Sequence, residues 1–328
     1  MSSVLHSIVI PVFNEVSGLD ALFARMRSLA DVIEKQNHGH QIEVILVNDG
    51  SRDGSAAKLD ELANTDSRFK VLHFSRNFGH QIAISAGLEW ATGQTVTVMD
   101  GDLQDPPEVI LEFIEKWREG FEVIYAVRRA RAGETVFKLW TAKIFYRLIR
   151  KLTNVDIPVD TGDFRLMDRR AVDAFLKMRE RHRFVRGMVS WVGFRQAGVL
   201  YDRSPRSFGQ THYPFRKMLR FALDGITSFS TVPLQVATYV GLLSAAGSFF
   251  VGLWALYTRL FTDRSIQGWT SLILVALFLG GVQLMALGIL GEYIVRIYDE
   301  VKHRPLYFVA KAVGFERSSS DFKNSSKS

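Results

Sequence analysis

The sequence predicts an α/β domain with a mostly parallel sheet, followed by two membrane-spanning helices. Three observations carry this. Strand-like apolar runs alternate with helical apolar spacing through the first half; three of those runs end in polar or acidic turns; and two stretches, Gly225–Thr258 and Ser265–Gly291, contain no charged residue. Alternating units imply a parallel sheet with helices on both faces. Ligands of such sheets bind outside the carboxyl ends of the strands. Each uncharged stretch exceeds the ~20 apolar residues that a membrane-spanning helix needs.

The elements follow in order. Ser7–Val12 is a strand, and Ser17–Glu34 has helical spacing through Leu19, Leu22, Phe23, Met26 and Leu29. Ile42–Asn48 is a strand, Ser55–Ala63 a helix, Lys70–Phe74 a strand, Gly79–Ala91 a helix and Thr95–Met99 a strand. Asp105-Pro106-Pro107 reads as the start of a helix to about Glu119, with Asp105 as N-cap and proline in the first turn. Val123–Ala126 is a further strand; Phe137–Leu152 is a helix with a basic side, and Asp168–Met178 another helix. Phe215–Phe229 sets Phe215, Met218, Leu219, Ala222 and Ile226 against Arg216, Lys217, Arg220 and Asp224, the pattern of an amphipathic helix on a membrane surface. Spans are expected at about Val232–Thr258 and Thr270–Tyr298, and Ser318–Ser328 is a polar tail. The expected division is a catalytic domain over 1–213, a surface helix over 214–231, a hairpin over 232–298 and a tail over 299–328.

Composition narrows the classes. The 328 residues contain no cysteine, which excludes disulfides, thiolate catalysis and Cys-ligated metals. The start, Met1–Val12, has no basic leader and reads as a strand rather than a signal segment. The net charge of +7 gathers at Arg128–Lys151 and at Arg203–Arg220, just before the first uncharged stretch, where it suits anionic headgroups or a phosphorylated lipid. Nucleic-acid binding has no recognisable module here. Lys302, His303, Arg304 and Lys311 follow the second span, while the link carries Arg259, Asp263 and Arg264. That basic excess predicts that the domain and the C-terminus are cytoplasmic.

Three strand ends carry chemistry. In Ile8–Glu15, Pro11 and Phe13 suit the edge of a base; Asn14 and Glu15 either cap the next helix or, through Glu15, accept from a ribose hydroxyl. In Val44–Ser51, with Val47 in the strand, Asp49 either belongs to an ordinary Asp-Gly turn or accepts from an imide N–H such as that of uracil. In Thr95–Gln104, Asp100, Asp102 and Gln104 are oxygen ligands suited to Mg²⁺ or Mn²⁺, which would neutralise a pyrophosphate leaving group.

With Ser75-Arg76-Asn77-Phe78-Gly79 and Asp-Gly-Asp-Leu-Gln-Asp-Pro-Pro-Glu, this set resembles family 2 glycosyltransferases of the GT-A (Rossmann-like) fold. Gly162-Asp163-Phe164-Arg165-Leu166 and the closing Gly288–Ile294 stretch narrow the resemblance to the polyprenyl-phosphate glycosyltransferases. These include dolichol-phosphate mannose synthase and the bactoprenol (undecaprenyl-phosphate) glucosyltransferases. The resemblance covers about Ile8–Phe308.

It implies a metal-dependent, inverting transfer of a hexose to polyprenyl phosphate at the bacterial inner membrane, by a homo-oligomer. UDP-glucose is the favoured donor; alternatives are a mannose, N-acetylhexosamine or aminoarabinose-type donor, or a non-catalytic scaffold. It also implies that Pro11, Phe13, Glu15, Val47 and Asp49 hold the nucleoside, and that Asp100, Gly101, Asp102 and Gln104 place diphosphate and metal. Arg128 and Lys138 face phosphates, and Asp163 is an acceptor-side carboxylate, either base, positioning group or partner of Arg165. Arg206 and Gly209–Tyr213 match a loop over the donor pyrophosphate, with Thr211 and His212 where the family has Ser and Lys. An unperturbed histidine titrates near about 6.5, so activity is expected to fall more steeply above neutral pH than with lysine at His212. A processive polysaccharide synthase would carry Gln-x-x-Arg-Trp and more spans; this sequence has no such motif.

Overall fold

The computed structural model describes residues 4–36, 41–129, 161–203, 232–261 and 268–315. The expected helices at Phe137–Leu152 and Phe215–Phe229, the polar tail, and Lys138, Arg206, Thr211 and His212 lie outside these residues.

The first half folds as its patterning dictates: β1 (Val4–Val12), α1 (Leu19–Gln36), β2 (Gln41–Asn48), α2 (Ser55–Thr65), β3 (Phe69–Phe74), α3 (His80–Trp90), β4 (Thr95–Val98), α4 (Val109–Arg118) and β5 (Val123–Arg128). Helix α1 buries Leu19, Leu22, Phe23, Met26, Leu29, Ala30 and Ile33, the stripe that a 3.6-residue period places on one side. Strand β2 is buried without alternation from Ile42 onward because helices cover both sheet faces. After it come β6 (Thr161–Asp168), α5 (Arg169–Lys177), α6 (Val185–Trp191), β7 (Gln196–Tyr201), α7 (Val232–Phe261), α8 (Trp269–Val301) and β8 (Val309–Val313).

The eight-stranded sheet has the order β7-β5-β6-β4-β1-β2-β3-β8. Its central pairs are parallel, while β6 runs antiparallel between β4 and β5, and β8 antiparallel on β3. One apolar layer packs α1, α2 and α4 on one face; the other packs α3, α5 and α6 on the opposite face. Strand order reverses at β1: β2 and β3 lie on one side and β4 on the other. Such a reversal opens a crevice at the carboxyl ends.

Two expectations are corrected. Asp105 does not cap α4. That helix begins at Val109 after a turn in which Val109 N–H bonds Pro106 O, and the buried Asp105 carboxylate instead accepts from the Tyr201 hydroxyl. Pro106 and Pro107 have no N–H to offer it. The 299–328 segment is not simply a tail, because Val309–Val313 pairs with β3 and joins the catalytic sheet. The segment leaving the helical pair therefore rejoins the sheet formed by the residues before it.

Helices α7 and α8 pack on each other and expose large apolar side chains, Leu243 at 71% and Leu284 at 72% among them. Both are long and apolar enough to cross a membrane. A continuous apolar surface of this size would not remain bare in water.

Candidate active site

The ends of β1 and β2 are stitched together by short polar side chains. Asn14, at φ +55°, accepts from Arg52 N–H at 2.8 Å, and its own N–H bonds Ser51 Oγ at 2.9 Å. Glu15 N–H bonds Ser55 Oγ and Val16 N–H bonds Asp53 Oδ2. Asn14 thus fixes the neighbouring turn rather than capping α1. Gly50 is obligatory in that turn: φ is +70°, and an added Cβ would lie 2.5 Å from the Arg76 carbonyl carbon.

Asp49, 3% exposed, accepts from Phe78 N–H at 2.6 Å and Gly79 N–H at 2.9 Å. Its carboxylate holds the 75–79 loop against the end of β2. Burial raises its pKa above the usual carboxylate value, outweighing those two amides. Phe13 is 46% exposed at the mouth, Pro11 is buried and Glu15 is half-buried beside Gly101. Val47 departs from expectation: its side chain is fully buried in the layer beneath α3 and does not face the crevice.

Across the crevice, β4 ends in the Asp100–Gln104 turn, where Leu103 holds φ +56°, a conformation that stores strain in a non-glycine residue. Gln104 N–H bonds Asp102 Oδ1 at 3.1 Å. Asp100 Oδ1 accepts no hydrogen bond among the described residues and lies 3.4 Å from His80 Nε2. Burial, reinforced by Asp163, Asp105 and Asp102 against the counter-pull of His80, pushes the Asp100 carboxyl up to about 6. Among the described residues no three acidic or histidine side chains converge as a closed metal cage. The unsatisfied oxygen amid like charges nevertheless fits a divalent cation that takes few protein ligands and completes its shell with water and phosphate oxygens.

Asp163 reaches this edge because β6 is antiparallel. Val98 pairs with Arg165, so the start of β6 meets the end of β4. Asp163, 5% exposed, accepts from Arg186 Nε at 2.9 Å, Arg186 Nη2 at 3.3 Å and Gln81 Nε2 at 3.2 Å, with His80 Nε2 at 3.5 Å. Burial opposes ionisation, but Arg186, His80 and Arg165 together hold the carboxyl well below its usual range. Arg165, 4.0 Å away, donates to Gly162 O and is itself pushed down to about 10, first by burial and then by Arg186. Arg128 Nε donates to the Tyr201 hydroxyl at 3.3 Å, and Arg203 lies 3.3 Å from Asp105. A Cβ on Gly162 would stand 3.4 Å from Arg128 Nη2, so this arginine borders the Asp163 strand start.

The strand ends thus bring Phe13, Glu15, Asp49, Asp100, Asp102, Gln104, Arg128 and Asp163 to one edge of the sheet. His80, Gln81, Arg186 and Tyr201 join them without having been expected. His80 opens α3 directly after the Ser75–Gly79 motif, which is a positional signal. Arg186 sits in an arginine-rich run with no spacing that distinguishes it from its neighbours.

Residues 7–176 match the model of glycosyl transferase family 2. An uncharacterized glycosyltransferase of Bacillus subtilis (strain 168), YkcC, is 52% identical over 95% of this chain and 95% of its own. The prophage-derived bactoprenol glucosyl transferase of Shigella flexneri is 41% identical over 93% of this chain and 97% of its own. Among solved structures, a Pyrobaculum calidifontis mannosyltransferase in complex with GDP-Man and Mn²⁺ is similar at 16% identity and a TM-score of 0.43, over 86% of each chain. The family match spans the strand ends that build the crevice, and the extended similarity continues through the helical pair: the chain is a glycosyltransferase with a GT-A sheet and belongs to glycosyl transferase family 2.

Proposed function

We propose that the protein transfers glucose from UDP-glucose to a polyprenyl phosphate, inverting the anomeric centre, in a metal-dependent reaction at the cytoplasmic face of a bacterial membrane. One observation carries this most: a crevice with an unsatisfied, acid-surrounded Asp100 stands on the same chain as two exposed apolar helices. The similarity to a bactoprenol glucosyl transferase over nearly the full length supports the lipid acceptor and the sugar.

In this reading Phe13, Glu15 and Asp49 receive the nucleoside, with Pro11 shaping the end of β1. Asp100, Asp102 and Gln104 would hold Mg²⁺ or Mn²⁺, with Gly101 between the two carboxylates beside Glu15. Such an ion supplies positive charge to the departing diphosphate. The acceptor is a phosphate monoester whose second pKa is about 6, so it is already a dianionic nucleophile at neutral pH. Its need is guidance past the donor's negative charge. Arg128, with Lys138 from outside the described residues, meets that need. Asp163, paired on both oxygens and held ionised, is poorly suited as a base. It orients Arg186 and His80 at the acceptor side. Arg206, Thr211 and His212 close over the pyrophosphate. Residues 1–213 together with Val309–Val313 make the catalytic unit, 214–231 lies on the membrane and 232–298 anchors it, the whole forming a homo-oligomer.

The test is transfer of label from a panel of nucleotide sugars to undecaprenyl phosphate by the purified full chain with Mg²⁺ or Mn²⁺. Label is expected from UDP-glucose and is expected to vanish in Asp102→Asn. Transfer from another donor would overturn the sugar; none from any donor would overturn the reaction.

A further inference from the structure

The stretch that leaves the second apolar helix braces the segments that lead into both halves of the crevice. At the last turn of α8, Glu300 Oε1 accepts from Arg181 N–H at 2.7 Å, and Asp299 lies 3.4 Å from His182. Arg181 also donates to Arg304 O. That clamp holds the segment feeding α6, whose second residue is Arg186. At the α6 start, Val185 N–H bonds Gln81 Oε1, and Gln81 in turn donates to Asp163.

A few residues on, Tyr307 stacks on Phe74 with centroids 5.0 Å apart and planes at 22°. Its hydroxyl donates to Glu89 at 2.7 Å and accepts from Trp90 Nε1 at 3.3 Å. Phe74 packs edge-on against Phe78 at 5.6 Å, and Ser75 N–H bonds Phe308 O at 3.0 Å. The loop so braced is the one whose Phe78 and Gly79 amides Asp49 holds.

We infer that residues 299–308 are a positioning strut: Tyr307 positions the donor-side loop around Asp49, and Glu300 positions the acceptor-side pair Arg186 and Asp163. Neither residue touches a reacting atom. The membrane hairpin is thereby more than an anchor, because its exit segment aligns the two substrates' sites with each other. The assignment of donor and acceptor sides rests on the function proposed above; the bracing itself does not.

The experiment uses the full chain in lipid nanodiscs and reads amide hydrogen exchange together with transfer kinetics. Tyr307→Ala is expected to speed exchange of the 75–80 amides roughly tenfold, leaving 181–187 unchanged, since local opening follows the contacts removed. Glu300→Ala is expected to do the reverse. In kinetics Tyr307→Ala raises the nucleotide-sugar KM about fivefold with kcat retained, and Glu300→Ala lowers kcat about fivefold with that KM retained, the split expected when ground-state binding and transfer geometry are perturbed separately. Tyr307→Phe keeps the ring stack and restores most of the wild-type KM. If Tyr307→Ala does not accumulate, Phe308→Ala tests the same loop by removing the ring that lies 6.3 Å from that of Phe78. Uniform exchange changes, or the same kinetic parameter moving in both variants, would overturn the strut. Segment-specific exchange in a chain that transfers no sugar would sustain the strut and overturn the proposed reaction.

Discussion

Asp49 and Asp163 are both nearly buried acids at the same sheet edge, 3% and 5% exposed, yet they are satisfied in opposite ways. Asp49 is held by the backbone amides of Phe78 and Gly79, and its pKa is raised. Asp163 is held by the guanidinium of Arg186 with His80 and Arg165 nearby, and its pKa is depressed. Amides are fixed by the fold and supply only partial charge. An arginine supplies a full charge but depends on a side chain brought from elsewhere in the sequence. One half of the edge is thus held by backbone amides, and the other by side-chain charges.

The comparison breaks most visibly at Arg186. Replacing it by Met removes the bidentate partner and leaves the buried carboxylate to Gln81, His80 and the more distant Arg165. Removing one member of a buried pair typically costs about 3–5 kcal/mol; with Arg186 one-quarter exposed, the low end, about 3 kcal/mol, is expected. Misplaced transfer groups should lower kcat on the order of 100-fold, with nucleotide affinity within about twofold, by equilibrium titration with UDP. A fall in UDP affinity as large as the fall in kcat would show that the two halves are not separate.

Gly50→Ala attacks the other half. The added Cβ meets the Arg76 backbone at 2.5 Å in a conformation that L-residues avoid. A strain of about 2 kcal/mol is expected. Because the 75–79 loop must give way, the nucleotide-sugar KM should rise about tenfold while kcat holds, a shift equivalent to about 1.4 kcal/mol. An unchanged KM would mean that the loop is not part of the donor site.

The same contrast explains what the sequence disclosed. Strands β1 to β5, helices α1 to α4 and both apolar spans were legible, because each rests on a periodicity within its own residues. The Asp-Gly-Asp turn and the Asn48–Ser51 turn were legible because glycine and short polar residues mark them locally. Asp163 was named only through resemblance, since nothing in its own stretch shows that β6 inserts antiparallel beside β4. His80, Arg186 and Tyr201 depend on that insertion and were not found. Asp105 was misread because a proline pair suggests a helix start, whereas its carboxylate is engaged by Tyr201, 96 residues away. Strand β8 was missed because a short edge strand after a long apolar helix has no pattern of its own.

The smallest effect sharpens the comparison through pH. Glu43, 1% exposed, lies toward the opposite end of the strands, where it accepts from Ser7 Oγ and Lys70 Nζ at 2.6 Å each and from Thr92 N–H at 2.6 Å. Burial acts to raise its pKa, but Lys70, Ser7 and Thr92 together outweigh it, and the net shift is downward. A carboxyl depressed in the folded state contributes stability above its unfolded pKa and loses it as pH falls through the folded value. The thermal midpoint of the wild type should therefore drop from about pH 5 to pH 3 more steeply than that of Glu43→Gln, by a few degrees for about 1 kcal/mol. Asp49 carries the opposite sign: its raised pKa means that ionisation costs the fold stability as pH climbs through and above the usual carboxylate value. Glu43 is held by a lysine as well as by neutral donors, whereas Asp49 has one backbone amide on each oxygen and burial outweighs them. Addition of UDP at neutral pH should accordingly raise the midpoint of the wild type by more than that of Gly50→Ala, and equal shifts would break the link between the strained turn and the nucleoside.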